Sequence, residues 1–369
     1  MGWMFWAFAG FAAVMLLLHV VSAALALPVA RKIARGPLPP VTLLRPVCGL
    51  DRFDAETLAS SFRQDHPDYR LIFCAARADD PAVPLVRGLI ETHPDVPARL
   101  LIGEDRISGN PKLNNLVKGW AACETPFVAM ADSNLALPED YLRELAGSWD
   151  PGCGLVTSPA AGTCPEDLGG ALECAFLNTN QARLQLAADR LGFGYAQGKT
   201  LFWQRDMLNG AGGLRLLGRN LAEDVAATKV VRDAGRHVRL TARPYAQPIG
   251  RRSIRALWDR QLRWSKVRRD GFPLLFLFEP LNGAVLPLLA TAVAVGLAGA
   301  PLAVLPAYAA LWYGAEVALA RAHGWPMGLR DLACLPLRDL MIPAVWAATF
   351  RSREFVWRGT QLAPQAGRA

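Results

Sequence analysis

The stretch Phe127-Val128-Ala129-Met130-Ala131-Asp132-Ser133-Asn134 (FVAMADSN, residues 127–134) decides the fold. A short apolar run with no polar alternation ends on an acid, which reads as a buried strand followed by a polar loop. Similar runs lie on either side. Val41–Leu44, Leu71–Ala75 and Leu100–Ile102 precede it, and Leu155–Thr157 and Leu201–Trp203 follow. Helix-like stretches at 54–64, 82–93, 112–122 and 138–147 separate the early strands. Strands alternating with helices imply an α/β domain with a mostly parallel sheet. Ligands of such sheets bind outside the carboxyl ends of the strands, so the residues just after each strand are the candidate site.

Those residues are polar. Arg45-Pro46-Val47-Cys48-Gly49 follows the first strand, Arg77-Ala78-Asp79-Asp80-Pro81 the second, and Asp132-Ser133-Asn134 the fourth. A single acid in such a place is an ordinary helix cap or turn residue. Acids recurring at several strand ends can instead hold a divalent cation through hard oxygen ligands, and the cation can hold a diphosphate. Lys112, in Pro111-Lys112-Leu113-Asn114-Asn115, opens a helix, where it is either a phosphate contact or part of a capped surface helix. Glu223 and Asp224 stand in the first turn of another helix, as reactive carboxylates or as compensation of the helix dipole. Gly192-Phe193-Gly194 with Gly198 reads as a flexible substrate-side loop or an ordinary turn.

Further on, Arg260-Gln261-Leu262-Arg263-Trp264 places Arg260, Arg263 and Trp264 on one helix face. Arg251, Arg252, Arg255, Arg268 and Arg269 surround them. Arginine beside tryptophan is one signature of nucleic-acid binding. A juxtamembrane helix at lipid headgroups is simpler, because an apolar stretch begins at Leu274. No nucleic-acid partner is expected.

The composition agrees with a membrane protein carrying a globular domain. The 369 residues are 52% hydrophobic and 20% charged, with a net charge of +8. A soluble domain usually carries about 45–50% apolar and about 25% charged residues. Trp3 to Leu27 is apolar except for His19 and Ser22, long enough to cross a bilayer. Ala24-Leu25-Ala26 mimics a signal-peptide cleavage site, but no cation precedes the run, and Arg31, Lys32 and Arg35 follow it. A retained anchor with the following domain in the cytoplasm is therefore expected. Leu274–Ala300 and Pro301–Ala320, with one charge each, read as a helical hairpin. Leu332–Phe350 carries the pair Arg338-Asp339, which is expensive at a bilayer centre, and reads as a re-entrant or interfacial helix. Arg351, Arg353 and Arg358 place the C-terminus in the cytoplasm.

Several chemistries are disfavoured. The seven cysteines form no CxxC pair, which disfavours a disulfide framework or a zinc knuckle and points to buried, reduced thiols. The histidines form no HExxH pair, and no GxSxG elbow occurs. Gly192, Gly194 and Gly198 miss the dinucleotide-binding spacing.

Taken in order, LLRPVCGLD (43–51), ADDPA (78–82), GNPKLNNL (109–116), ADSN (131–134), AGGL (211–214), AED (222–224) and RQLRW (260–264) resemble the ceramide glucosyltransferase family, glycosyltransferase family 21. The resemblance implies a Rossmann-like GT-A nucleotide-diphospho-sugar transferase domain with N- and C-terminal transmembrane helices. Its first aspartate falls on Asp80, beside Asp79, the second on Asp132 and the third on Asp224; its last motif falls on Arg260, Arg263 and Trp264. Asn134 stands where the wider DxD pattern has a second acid. The implied mechanism is inverting transfer of glucose from UDP-glucose to the primary hydroxyl of ceramide. Mg2+ or Mn2+ at Asp132, helped by Lys112, stabilises the leaving diphosphate. Asp79 or Asp80 contacts the uridine, Arg45 joins the donor site, and Asp224 is the general base. Arg260 and Arg263 hold the diphosphate, and Trp264 stacks on the sugar or closes the site. The implied division is an anchor (1–30), a cytoplasmic catalytic domain (41–245), a juxtamembrane helix (246–272), membrane helices (273–350) and a basic tail (351–369).

Two other readings stand beside it. Related hopanoid-pathway enzymes would use a triterpenoid acceptor and UDP-N-acetylglucosamine. A non-enzymatic scaffold would bind anionic lipid through residues 251–269. The Ala- and Arg-rich, Lys-poor composition points to a GC-rich bacterium, hence to its inner membrane.

Overall fold

The computed structural model describes residues 2–351, 355–357 and 360–362. Nine strands matter here: β1 (Val41–Val47), β2 (Tyr69–Ala75), β3 (Ala98–Ile102), β4 (Phe127–Ala131), β5 (Cys153–Thr157), β6 (Ala160–Pro165), β7 (Thr200–Gln204), β8 (His237–Leu240) and β9 (Tyr245–Gly250). Seven of them form one sheet in the order β3-β2-β1-β4-β7-β5-β8. β1 to β4 run parallel, β7 is antiparallel to both its neighbours, and β8 is parallel to β5. β6 and β9 form a separate two-stranded sheet.

The unbroken apolar runs follow from burial on both faces. Leu43, Phe73 and Ala129 pack with Val83 and Val86 of the helix Ala82–Thr92 and with Leu142 and Leu145 of the helix Tyr141–Ser148. Their neighbours in sequence, Leu44, Ile72, Val128 and Met130, pack the opposite face. There they meet Leu113, Leu116 and Trp120 of the helix Pro111–Ala121, and Ala227 and Val231 of the helix Glu223–Asp233. Fully burying one such leucine is worth about 1.5–3 kcal/mol. Each expected strand lies within an observed one. β6, β8 and β9 were not expected: β6 ends on Pro165, β8 has four residues, and β9 is interrupted by Pro248.

The chain divides into two compact units, neither contiguous in sequence. Residues 29–160 and 191–248 belong to the sheet unit, while residues 2–28, 161–190 and 249–351 belong to a helical unit. The expected single domain over 41–245 is therefore interrupted. Leu168–Ala175 runs through the π-helical segment Phe176–Ala182 into Arg183–Arg190. Leu172 and Phe176 pack with Cys334 and Leu335 of the helix Leu329–Thr349.

Within the helical unit, Gly2–Leu25 and Leu329–Thr349 are long and apolar enough to cross a membrane. The expected hairpin is different. Leu274–Ala300 is broken into short turns at Pro273–Phe276 and Glu279–Asn282, and then a helix of 14 residues, Val285–Ala298. That helix spans about 21 Å against a bilayer core of about 30 Å. Pro280 and the Asn282-Gly283 pair interrupt the run. The segment read as a re-entrant or interfacial helix is a helix of 21 residues. Its charge pair is compensated, because Arg338 grips Glu316 through two bonds of 2.9 and 3.0 Å and also pairs with Asp339. Pairing offsets the cost of burying these charges.

All seven cysteines are reduced; five are buried, and Cys48 and Cys164 are exposed. Most of the basic tail, including Arg353 and Arg358, lies outside the described residues.

Candidate active site

The site in the sheet unit grows from the end of β4. The ladder pairs Ala131 with Thr200 of β7, and the Asp132 N–H then donates to the Lys199 carbonyl at 3.1 Å. Asp132 and Lys199 thus face each other across two fixed strands. The Lys199 ammonium pairs with Asp132 Oδ2 at 3.1 Å and donates to Asn134 Oδ1 at 3.0 Å.

Lys112 approaches from the other side. Asn110 caps the helix Pro111–Ala121, accepting from the Lys112 N–H at 2.9 Å, and Pro111 occupies the first turn. This fixes Lys112 at the helix start, with its ammonium 2.6 Å from Asp132 Oδ1, 2.6 Å from Glu223 Oε1 and 2.5 Å from the Gly198 carbonyl. An ammonium has three protons. All three of Lys112 are engaged, and in this arrangement it braces the site. Burial lowers its pKa, but the charges of Asp132 and Glu223 outweigh burial and hold it above the ordinary lysine value. At Asp132 burial is likewise outweighed: Lys112 and Lys199 hold the carboxyl below the usual range.

Glu223 and Asp224 have separate surroundings. Glu223 is 6% exposed and accepts from Asn110 Nδ2 at 2.9 Å as well as from Lys112. Asp224 accepts two backbone N–H groups, Gly198 at 3.0 Å and its neighbour Val225 at 2.8 Å. Burial, then the negative charge of Glu223, push Asp224 up to about 6, against the pull of the two amides and of Lys112. Gly198 is pinned rather than loose, its N–H on Asp224 and its carbonyl on Lys112. A Cβ there would lie 2.7 Å from Glu223 Oε1, so this close approach needs glycine.

The other expected donor residues separate. Asp80 accepts from the Gly49 N–H with both oxygens, at 2.9 and 3.0 Å, and from the Ala82 N–H at 2.9 Å. It ties the loop after β1 to the start of the next helix. Asp79 is exposed and paired with Arg77, whose hydrogen bonds hold its carboxyl below the usual range. Arg45 corrects the expectation of a donor contact. It is 0% exposed, and its guanidinium donates to the carbonyls of Thr57 at 3.0 Å and of Ser133 and Leu135 at 3.1 Å. It therefore shapes the loop that follows Asp132. Burial lowers its pKa to about 10.

In the helical unit, Arg260, Arg263 and Trp264 lie on the helix Ile254–Gly271. Arg260 lies 5.9 Å from the Trp264 ring, as the four-residue spacing requires. It also pairs with the fully buried Glu173, which Arg252 approaches at 3.4 Å. Glu173 was not expected, since it sits in an apolar helix with no motif around it. Lys199 was also missed. Its signal is scarcity: only six residues of the chain are lysine, and two of them meet at Asp132.

A divalent cation does not fit Asp132 as these residues stand. Mg2+ is usually held by one or two carboxylates together with waters and substrate phosphates, so a single acid is no obstacle in itself; the obstacle is the pair of lysines. Asp132 ends this strand, and each of its oxygens holds an ammonium. Asn134, in the place of a second acid, also accepts from Lys199. Among the described residues no group of three or more His, Cys, Asp or Glu side chains is arranged to hold a metal ion.

Known proteins resemble the chain at three levels. Ceramide glucosyltransferase 1 of Caenorhabditis elegans is 28% identical over 250 residues, covering 67% of this chain and 54% of the relative. Ceramide glucosyltransferase of Komagataella phaffii is 27% identical over 312 residues, covering 68% and 61%. The chain thus matches between half and two thirds of these relatives' length. A mannosyltransferase of Pyrobaculum calidifontis, solved with GDP-mannose and Mn2+, superposes with a TM-score of 0.53 at 20% identity, covering 91% of this chain and 98% of its own. At that identity the likeness carries the fold, which is the GT-A glycosyltransferase fold. The family model for glycosyl transferase family 21 matches residues 3–369, and the chain belongs to that family.

Proposed function

We propose that the protein transfers glucose from UDP-glucose to the primary hydroxyl of a membrane lipid, ceramide or one like it, at the cytoplasmic membrane face. The observation that carries this reading is Asp224. A general base works best when its pKa lies near the operating pH. Burial and Glu223 bring Asp224 to about 6. The two amides fix its carboxylate.

The acceptor oxygen attacks the anomeric carbon of glucose while its proton passes to Asp224. The bond from that carbon to the diphosphate breaks, and its electron pair leaves on UDP. One displacement inverts the anomeric centre and gives a β-glycoside. Glu223 and Lys112 hold the surroundings of Asp224 fixed. Asp79 is the more exposed of the two first acids and is assigned to the nucleoside; Asp80 shapes the loop beside it. Arg260, Arg263 and Trp264 enter this reading through the family motif alone. Mg2+ or Mn2+ does not fit at Asp132 while Lys112 and Lys199 hold its two oxygens.

The acceptor and the sugar are tested together. Purified protein is given UDP-glucose or UDP-N-acetylglucosamine with ceramide or a hopanoid, and the lipids are read by mass spectrometry. Glucosylceramide is the expected product. A hexosaminyl hopanoid would move the acceptor and donor to the rival pair. Lipid binding without any UDP-dependent product would favour the anionic-lipid scaffold instead.

A further inference from the structure

The ion pairs around Asp132 leave a question of charge. Breaking the bond to the sugar puts negative charge on the departing diphosphate, and something positive must face it. Lys112 is the more enclosed of the two lysines, held by Asp132, Glu223 and Gly198. Lys199 sits on the other oxygen of Asp132, at 3.1 Å, with its side chain 14% exposed against 9% for Lys112. Its backbone is held by the β4–β7 ladder, so the ammonium stands on a rigid strand end rather than on a free loop. Asn134 removes the second anionic oxygen a metal would want and gives Lys199 a neutral acceptor at 3.0 Å.

We propose that Lys199 contacts the leaving diphosphate and supplies there the positive charge that a divalent cation would otherwise supply, so that donor binding and transfer by this chain need no metal. Lys112 and Asp132 hold it in place. When the sugar–oxygen bond breaks, its electron pair remains on the β-phosphate oxygen of UDP, facing the Lys199 ammonium; no further reactant is needed. The proposal rests on the UDP-sugar reading above and gives its donor site a specific residue.

The test uses the full-length protein in detergent or lipid, stripped with EDTA. UDP binding is measured by calorimetry with and without added Mn2+, for wild type, Lys199→Ala and Lys199→Arg, beside a direct titration of Mn2+ alone followed by electron paramagnetic resonance. The expected result is that wild type binds UDP in EDTA and that Mn2+ changes the affinity little. Lys199→Ala should weaken UDP binding about 10–100-fold, the range for loss of a hydrogen bond to a charged group, and Lys199→Arg should largely restore it. Loss of wild-type UDP binding in EDTA, recovered with Mn2+, would overturn the proposal, as would an unchanged UDP affinity in folded Lys199→Ala. The wild-type arm decides the matter even if the variants do not fold. If wild type binds no UDP with or without Mn2+, the donor reading itself fails, and this proposal with it.

Discussion

The chemistry at the residue scale turns on two carboxylates whose different neighbours set them apart. Two lysines hold Asp132 below the usual carboxylate range against its burial, whereas burial and Glu223 raise Asp224 to about 6. Asp224→Asn keeps the shape but removes the base. It should lower kcat by about 10²–10⁴-fold with little change in UDP affinity. Glu223→Gln should act differently, because Glu223 balances Lys112. Its loss leaves that buried ammonium with one carboxylate, so a lower melting temperature is expected beside any loss of rate. The pH profile follows from the sign of the shift. Asp224 must be ionised to act, so the rate should rise with pH through about 6. Folding stability runs the other way. A carboxyl whose folded pKa is raised binds more protons folded than unfolded, so its contribution falls as pH rises from about 4 to about 6. A rate independent of pH from 5 to 8 would count against Asp224 as the base. Asp132, Lys112 and Asp224 were legible in the sequence because each follows a strand or opens a helix. Lys199 was not, because its partner Asp132 lies far away in sequence and only the antiparallel register of β7 brings them together. Arg45 was misread because a charged residue near a strand end looks solvated, whereas this strand is buried along its whole length.

At the scale of elements, the parallel strands could be read because burial on both faces leaves continuous apolar runs. The helices of the C-terminal third could not be bounded by hydropathy alone. Leu274–Ala300 is apolar enough throughout, yet Pro280 and Asn282-Gly283 interrupt it, and its main helix starts at Val285. Conversely, Arg338 and Asp339 looked too costly for a long membrane helix until Glu316, from a different helix, completed their pairing. The junction at Gly169 is tight. Asp167 Oδ1 accepts both the Gly170 N–H at 2.7 Å and the Arg252 N–H at 3.1 Å, and a Cβ on Gly169 would lie 1.8 Å from the Arg252 carbonyl oxygen. That oxygen is backbone and cannot swing away. Gly169→Ala should therefore destabilise the helical unit by about 1–3 kcal/mol despite alanine's better helix propensity, read as a lower melting temperature. A neutral or stabilising effect would show that the two segments separate easily.

For the whole molecule, the chain's two units interleave in sequence, so a linear division into anchor, catalytic domain and membrane helices misses residues 161–190. Nothing local marks that stretch. Its apolar residues look like domain core, and only their packing with Leu329–Thr349 assigns them to the helical unit. The orientation reading is tested by a reporter fused at position 40, after Arg31, Lys32 and Arg35; it should be active in the cytoplasm, where UDP-sugars are made. A reporter active only outside would reverse both the topology and the donor assignment. The most direct test of the central claim is lipid mass spectrometry on purified protein supplied with UDP-glucose and ceramide, wild type beside Asp224→Asn. The account predicts glucosylceramide from wild type and at most a trace from the folded variant. Equal product from both would contradict the role of Asp224, and no glycosylated lipid from wild type would contradict the proposed reaction.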